Sequence, residues 1–348
     1  MVELAKALAR DTRLLVLDGP TAALDDRESE QLFAQVARLR ERGVGVVYIT
    51  HRLDEVFGLA DRVVVLRDGT VALSTPIDET SHAQVVAAMV GREMADFYPK
   101  QRHTREQITL QVHGLSRPGE FTGVDLAVHA GEILGIAGVL GCGRSGLLRA
   151  LFGLAPPASG TVTLAGRRLR VRHPAQAIRA GIAYLTPDRQ GAGLCTDLSV
   201  RANISLACLD RFTNRGGLVR RRAEKQQVGR IVADLHVHTR STDVPVGTLS
   251  GGNQQKSLFG KWVLTEPQLL LLEEPTRGVD VGAKTEIYRL LNQLTARGVA
   301  IVLVSSDLPE LVAMSDRLLV MRSGKVRAEL TGEQISQQHI LEHALEVA

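Results

Sequence analysis

Aromatic side chains make up only 3% of the sequence, with one tryptophan, which excludes a core built on large rings. The 44% hydrophobic content therefore rests on Leu, Val, Ile and Ala, a composition that suits buried parallel strands. Three cysteines (Cys142, Cys195, Cys208) are too few for a disulfide framework and point to a reducing compartment. No apolar run approaches the roughly 18 residues of a membrane-spanning helix. Val2–Arg10 carries charges inside an amphipathic pattern, unlike a leader peptide, so a membrane role is expected to go through a partner. With 42 basic against 38 acidic residues, the net charge of +4 gives no strong field for nucleic acid, and none is expected as a partner. A length of 348 residues suggests two domains.

What is present centres on Leu249–Asp280, LSGGNQQKSLFGKWVLTEPQLLLLEEPTRGVD. A glycine turn (Ser250, Gly251, Gly252) opens a helix-length segment, and the N–H groups at such a helix start form an anion site. An apolar strand (Leu269–Leu272) follows, ending in Glu273 and Glu274. Carboxylates there can hold Mg²⁺ and orient a nucleophilic water. Upstream, the strand Gly131–Ala137 runs into Gly138–Ser145, GVLGCGRS, and then a helix. That loop matches a phosphate nest at Gly138, Gly143 and Ser145, but Arg144 stands where lysine is expected. Arginine keeps the charge and can fork onto phosphate, with a different reach.

The chain also contains a long repeat. Within residues 1–95 the sequence lies over the stretch from Lys256 onward at a constant offset of 255, so LLVLDGPTAALD (Leu14–Asp25) falls on LLLLEEPTRGVD (Leu269–Asp280). A period of this size means two copies of one domain. Both copies alternate strand and helix, which predicts a parallel sheet covered by helices. Met1 falls on Lys256, just past the glycine turn, so the first copy is expected to lack its phosphate loop and its glycine turn and the chain to be N-terminally truncated. The expected organisation is residues 1–95 as the C-terminal part of a first module, 96–107 as a linker, and 108–348 as a complete second module.

LSGG-x-Q-Q followed by L-L-L-L-x-E-P-T resembles the signature and Walker B of ABC ATPases. The loop G-x-G-R with LSGGNQQK and EPTRGVDVGAK is similar to the C-terminal module of the tandem ATPases of bacterial monosaccharide importers (ribose, xylose, arabinose, galactose and autoinducer-2 types), over essentially the whole chain. The resemblance implies an α/β P-loop NTPase fold with a mixed or parallel sheet and a small helical subdomain around Asp188–Asp234. It implies ATP and Mg²⁺ as ligands, transmembrane permease subunits as partners, a periplasmic sugar-binding protein acting indirectly, and a peripheral position on the cytoplasmic face of the membrane. A second ATPase module or copy would complete each site. By the same resemblance Gly138, Gly141, Gly143, Arg144 and Ser145 would line phosphates, with Ser145 and Glu273 on Mg²⁺. Glu274 would polarise the attacking water, Asp280 would act across the module interface, and Ser306 occupies the switch-histidine position. Ser250, Gly251 and Gly252 would face a partner's nucleotide. In the first copy Asp18, Asp25 and His51 match the family, whereas Gly19 replaces the catalytic glutamate. Pro187 stands where a metal-linked glutamine usually lies. The second site is expected to bind nucleotide weakly and hydrolyse it poorly. The rivals are a non-catalytic remnant or scaffold, and a soluble tandem ATPase acting on ribosomes or DNA, whose charged helical arms are not found here.

Other features have simpler readings. Phe121 is expected to be a core or turn residue more than an adenine platform. The basic run Asn214–Lys225 reads as a solvated helical face, with phospholipid or permease contact as the alternative. His236 and His238 lack the acids or cysteines a metal site needs, and Cys142 reads as a small filler in the loop, exposed enough to be modified.

Overall fold

A computed structural model describes residues 12–21, 26–50, 53–67, 69–90 and 98–345. The chain divides into two compact units, Met1–Phe97 with Asp280–Gly282, and Tyr98–Val279 with Ala283–Ala348.

In the first unit, strands β1 (Leu14–Asp18) and β2 (Gly45–Ile49) pair in parallel around helix α1 (Asp26–Glu41). Leu32, Val36 and Leu39 recur at helical spacing and close over Leu15. After α2 (Leu53–Leu59), strands β3 (Arg62–Arg67) and β4 (Thr70–Pro76) form a separate antiparallel pair. Val85 of α3 (His82–Val90) packs on Val63 and Val65 of β3.

The second unit holds two sheets. Strands β5 (Ile108–Arg117), β6 (Phe121–His129), β8 (Ser159–Leu164) and β9 (Arg167–Leu169) form an antiparallel sheet in the order β6-β5-β8-β9. The larger sheet contains β7 (Ile133–Ala137), β10 (Ile182–Leu185), β11 (Leu269–Glu273), β12 (Ala300–Val304), β13 (Arg317–Arg322) and β14 (Lys325–Thr331). Its order is β10-β11-β12-β7-β13-β14, parallel throughout except for β14, so the sheet is mixed. Every residue of β7, β11 and β12 is buried, which their unbroken apolar runs require.

Helices α4 (Arg144–Phe152), α5 (Pro174–Arg179), α9 (Val281–Ala296), α10 (Leu308–Met314) and α11 (Gln337–Ala344) accompany this sheet. Between β10 and β11 lies a helical insert, α6 (Val200–Ser205), α7 (Arg221–Asp234) and α8 (Gly251–Val263). It is fixed by polar groups as much as by apolar ones. Buried Asn203 accepts from Cys195 N at 2.8 Å and donates to Leu198 O at 3.2 Å, while Glu224 accepts from Ser205 Oγ at 2.6 Å and Arg201 Nη1 at 2.6 Å. Such fully partnered groups specify one arrangement of the helices.

Residues 98–107 pack as a strap on the second unit. Lys100 Nζ reaches Asp316 at 2.8 Å, Gln101 N donates to Asn292 Oδ1 at 3.1 Å, and Arg105 Nη2 donates to Ala296 O at 2.8 Å. Among the described residues no helix is long and apolar enough to cross a membrane.

Candidate functional site

The candidate site forms at the carboxyl ends of β7 and β11, which β12 separates in the sheet, on the edge where parallel α/β sheets place their ligands. From β7 the chain turns through Gly138, Gly141 and Gly143, all with positive φ (148°, 81° and 101°), into α4. The glycines are obligatory at two of these positions. A Cβ on Gly138 would collide with Met321 O, and one on Gly143 with Glu120 O. The loop is thereby wrapped tightly enough to leave the first-turn N–H groups of α4, including that of Ser145, without intrahelical acceptors. That is the donor set a phosphate takes. Phe121 is 1% exposed and packs beneath the loop against Gly143, so its ring is core. Cys142 is 2% exposed, its sulfur packed against Gly138, so it is a filler and not the exposed thiol expected from the sequence.

Arg144 is directed elsewhere. Its guanidinium donates to Ser305 O at 3.0 Å and lies 3.6 Å from Glu274, with both side chains largely buried. Glu274 also accepts a bond from Ser306 Oγ at 2.9 Å. Ser306, the candidate at the switch position, is thus joined to the candidate water-orienting acid. Glu274 sits in the left-handed region at φ 50°, an unfavourable conformation for a side-chain-bearing residue, and such strain concentrates at functional sites.

Glu273, at the end of β11, is buried and accepts a short hydrogen bond from Tyr184 OH of β10. Burial and this bond to a carboxylate both hold the Tyr184 phenol well above its ordinary pKa, so it remains a donor. Tyr184 escapes a reading of the sequence because the two residues, 89 positions apart, meet only through the pairing of β10 with β11.

The glycine turn Ser250–Gly252 begins α8, with Ser250 as its N-cap, accepting from Asn253 Nδ2 at 2.9 Å. The Arg189 guanidinium lies beside Gly251, whose Cβ would come within 3.3 Å of it. Asp188 caps the turn that follows Pro187, accepting from Gly191 N at 2.8 Å. Asp280 immediately precedes α9. Asp18 ends β1, next to Gly19 at φ 54°. His51 and Asp25 lie outside the described residues. No group of three or more His, Cys, Asp or Glu able to hold a metal occurs among the described residues, His236 and His238 included.

A cavity of about 440 Å³ opens behind Glu273 and Tyr184, between the sheet and the helical insert. Phe152, Leu154, Pro174, Ile178, Leu258 and Trp262 make it mostly apolar. Lys261 at its wall donates to Gly193 O at 2.6 Å and lies 5.0 Å from the Trp262 ring; burial lowers its pKa.

Comparison with known proteins bears on the family and the fold. The ABC transporter family matches residues 121–277. The chain is 43% identical over 344 residues to the ribose import ATP-binding protein RbsA of Oceanobacillus iheyensis, covering 99% of this chain and 69% of that protein. It is 48% identical to the ribose import ATP-binding protein RbsA 2 of Streptomyces coelicolor, covering 98% of this chain and 66% of that one. The chain thus spans about two thirds of the length of these relatives. Among solved structures it shares the fold of a nucleotide-free ATP-binding cassette from an ABC transporter (TM-score 0.58, 21% identity, 69% of this chain and 99% of that one). It also shares the fold of cbiO1 from Clostridium perfringens, part of an ABC transporter complex (TM-score 0.57, 20% identity, 68% and 94%). The cradle of glycines, the acids at the end of β11 and these likenesses lead to one conclusion: the chain belongs to the ATP-binding proteins of ABC transporters, a family of transport-coupled ATPases.

Proposed function

We propose that this chain is the ATP-binding subunit of an importer for ribose or a closely related monosaccharide, working on the cytoplasmic face of a membrane beneath a permease that a periplasmic sugar-binding protein supplies. The names of the relatives at 43% and 48% identity support the sugar class. The observation that carries the catalytic reading is Glu274, kept in a left-handed conformation beside Ser306 and Arg144.

Mg²⁺–ATP is the substrate. Gly138, Gly141, Gly143 and the first turn of α4 are the groups to receive its phosphates, with Ser145 and Glu273 toward the metal. The fit is chemical: a nest of N–H groups, a hydroxyl and a carboxylate already oriented by Tyr184. Glu274 polarises the attacking water, and Ser306 and Arg144 hold that carboxylate in place. Ser250, Gly251 and Gly252 face the nucleotide of a second module, and Asp280 acts across that boundary. In the first unit Asp18 and His51 are the matching metal and switch groups, while Gly19 offers no carboxylate. The organisation we propose is the C-terminal part of one module in residues 1–95 and a second module in 108–348. The cavity behind Glu273 receives a helix of the permease.

Weak hydrolysis, or a scaffolding role at the second site, is favoured by one observation. Arg144 is engaged with Ser305 and Glu274 rather than turned into the loop. Calorimetric titration with Mg²⁺–ATP, followed by labelled-ribose uptake into proteoliposomes with the permease and binding protein, tests both readings. ATP binding and ATP-driven ribose uptake are expected. Absence of nucleotide binding would overturn the ATPase reading, and uptake of other sugars but not ribose would overturn the specificity. Binding without turnover would select the scaffold.

A further inference from the structure

Between Glu132 and Asp188 the sequence contains no aspartate or glutamate but seven arginines. Five of them, Arg167, Arg168, Arg170, Arg172 and Arg179, are exposed on β9, the segment after it and α5. Burial alternates along this strip. Leu169 and Val171 are half-buried, whereas Arg168, Arg170 and Arg172 are exposed to solvent. The other two arginines are paired, Arg144 with Glu274 and Arg149 with Glu120, whereas none of the five has an ion-pair partner among the described residues. Like charges held this close and unpaired repel one another, a cost that an anionic partner removes.

The strip is rigid where it matters. Gly153, at the end of α4, fits so closely that a Cβ there would lie 2.6 Å from Val171 Cγ1 and 2.9 Å from the His173 backbone. On its other side Pro174 and Ile178 of α5 enter the wall of the apolar cavity, next to half-exposed Leu154. The basic run 214–225 is also arginine-rich, and its Arg215, Arg221 and Arg222 are likewise exposed without an ion-pair partner among the described residues. It contains Glu224, however, and lies beside Asp243, with which Lys225 pairs at 3.4 Å, while Arg220 donates to Arg211 O at 2.9 Å.

We propose that Arg167, Arg168, Arg170, Arg172 and Arg179 form a docking surface for the headgroups of anionic phospholipids, seating the second unit against the bilayer beside the cavity. Guanidinium groups fork onto phosphate oxygens and give up little hydration in doing so, and a row of them matches a plane of phosphodiesters. Leu154 and the cavity add an apolar flank, which a bilayer with an embedded permease can cover and a free anion cannot. The placement beside a permease rests on the reading of the cavity given above; the lipid contact itself does not.

The test is flotation of the full chain with vesicles of phosphatidylcholine alone and of equal parts phosphatidylcholine and phosphatidylglycerol. Binding is expected only to the second and is expected to fall as salt rises. With each arginine near an anionic surface contributing about fivefold, the triple variant Arg168→Glu, Arg170→Glu, Arg172→Glu should bind on the order of 100-fold more weakly. The same three changed to Gln should show a smaller loss with an unaltered melting curve, which separates charge from misfolding. Arg215, Arg221 and Arg222 changed together to Glu supply the control for net charge. Failure to bind the anionic vesicles, or an equal loss in the control, would overturn the proposal. An excess of inorganic phosphate at constant ionic strength separates the two sources of phosphate. Vesicle binding that survives it supports the lipid surface, and binding that it abolishes assigns the row to a free anion and overturns the proposal. Loss of ribose uptake with vesicle binding intact would reject the transport reading alone.

Discussion

The two units carry the same elements at a fixed offset of 255 residues, yet bury them to very different degrees. β1, β2, β3 and β4 fall on β11, β12, β13 and β14, and α1 and α2 on α9 and α10, residue for residue. In the second unit β7 stands between β12 and β13 and joins the two pairs into one sheet. Among the described residues of the first unit no strand stands between β2 and β3, and the pairs remain separate. Leu14 is 60% exposed where Leu269 is 0%, and Leu66 is 71% exposed where Met321 is 0%. In the second unit β7 between the pairs and β10 beside β11 supply neighbours that no described strand supplies in the first, and similar local sequence becomes core there. Local detail survives the difference. Gly19 N donates to Ile49 O at 2.8 Å and Glu274 N to Val304 O at 2.8 Å, both from left-handed residues, and Thr21–Glu55 (2.7 Å) is repeated as Thr276–Glu310 (2.8 Å).

The largest effect is expected where the copies differ by a carboxylate. Glu274→Gln should lower ATP turnover in the assembled transporter by about 10²–10⁴-fold while leaving nucleotide binding intact, as read from steady-state rates and calorimetry. Unchanged turnover would remove Glu274 from the chemistry and make the two sites equivalent.

Next is Glu310, whose acid is pushed up to about 7 by burial, reinforced by Asp307 and opposed by hydrogen bonds from Ser305 and Thr276. The folded chain keeps a proton that the unfolded chain loses from its ordinary 4.5 upward. This stabilising contribution is fully present below 4.5 and is lost as pH rises from there through about 7. Glu310→Gln should flatten the decline, a gain of about 1–3 kcal/mol above neutrality, measured from urea midpoints across that range.

Tyr184→Phe removes the donor to Glu273 and should destabilise the second unit by about 1–3 kcal/mol, while raising the Mg²⁺ concentration needed for nucleotide binding. In a Glu273→Asp background, which restores the acid of the first copy, the shorter side chain should no longer need the phenol. The metal effect of Tyr184→Phe should then vanish; persistence would mean the tyrosine serves packing alone.

The smallest effect tests the shared turn. At Gly19 no atom of the described residues lies within 4 Å of the place a Cβ would take, so among them only conformation opposes a side chain. Gly19→Glu should cost the first unit about 1 kcal/mol by hydrogen exchange, the strain that Glu274 already bears.

Much of this is legible in sequence. The repeat is legible because each copy keeps its apolar runs and glycines in step, and the strands read at Gly131–Ala137 and Leu269–Leu272 end within two residues of β7 and β11. The glycine loop before α4 is legible because Gly138 and Gly143 have no steric substitute there. What escapes is direction across space. Sequence puts Arg144 on phosphate, and the structure aims it at Ser305 and Glu274, a choice set by how α4 meets β12. Residues 98–107 read as linker because contacts with Asn292 and Asp316 leave no periodic trace. Tyr184 reads as one more strand residue.

The separated strand pairs of the first unit also bear on how the chain behaves at high concentration. β2 and β3 each present a row of apolar side chains beside backbone groups that no described strand occupies. Edges of that kind template pairing with whatever extended chain they meet. The same feature that exposes the first unit's strands makes it the place where aggregation of this chain should begin, and light scattering that rises with concentration and falls when Leu66 is replaced by lysine would locate it there.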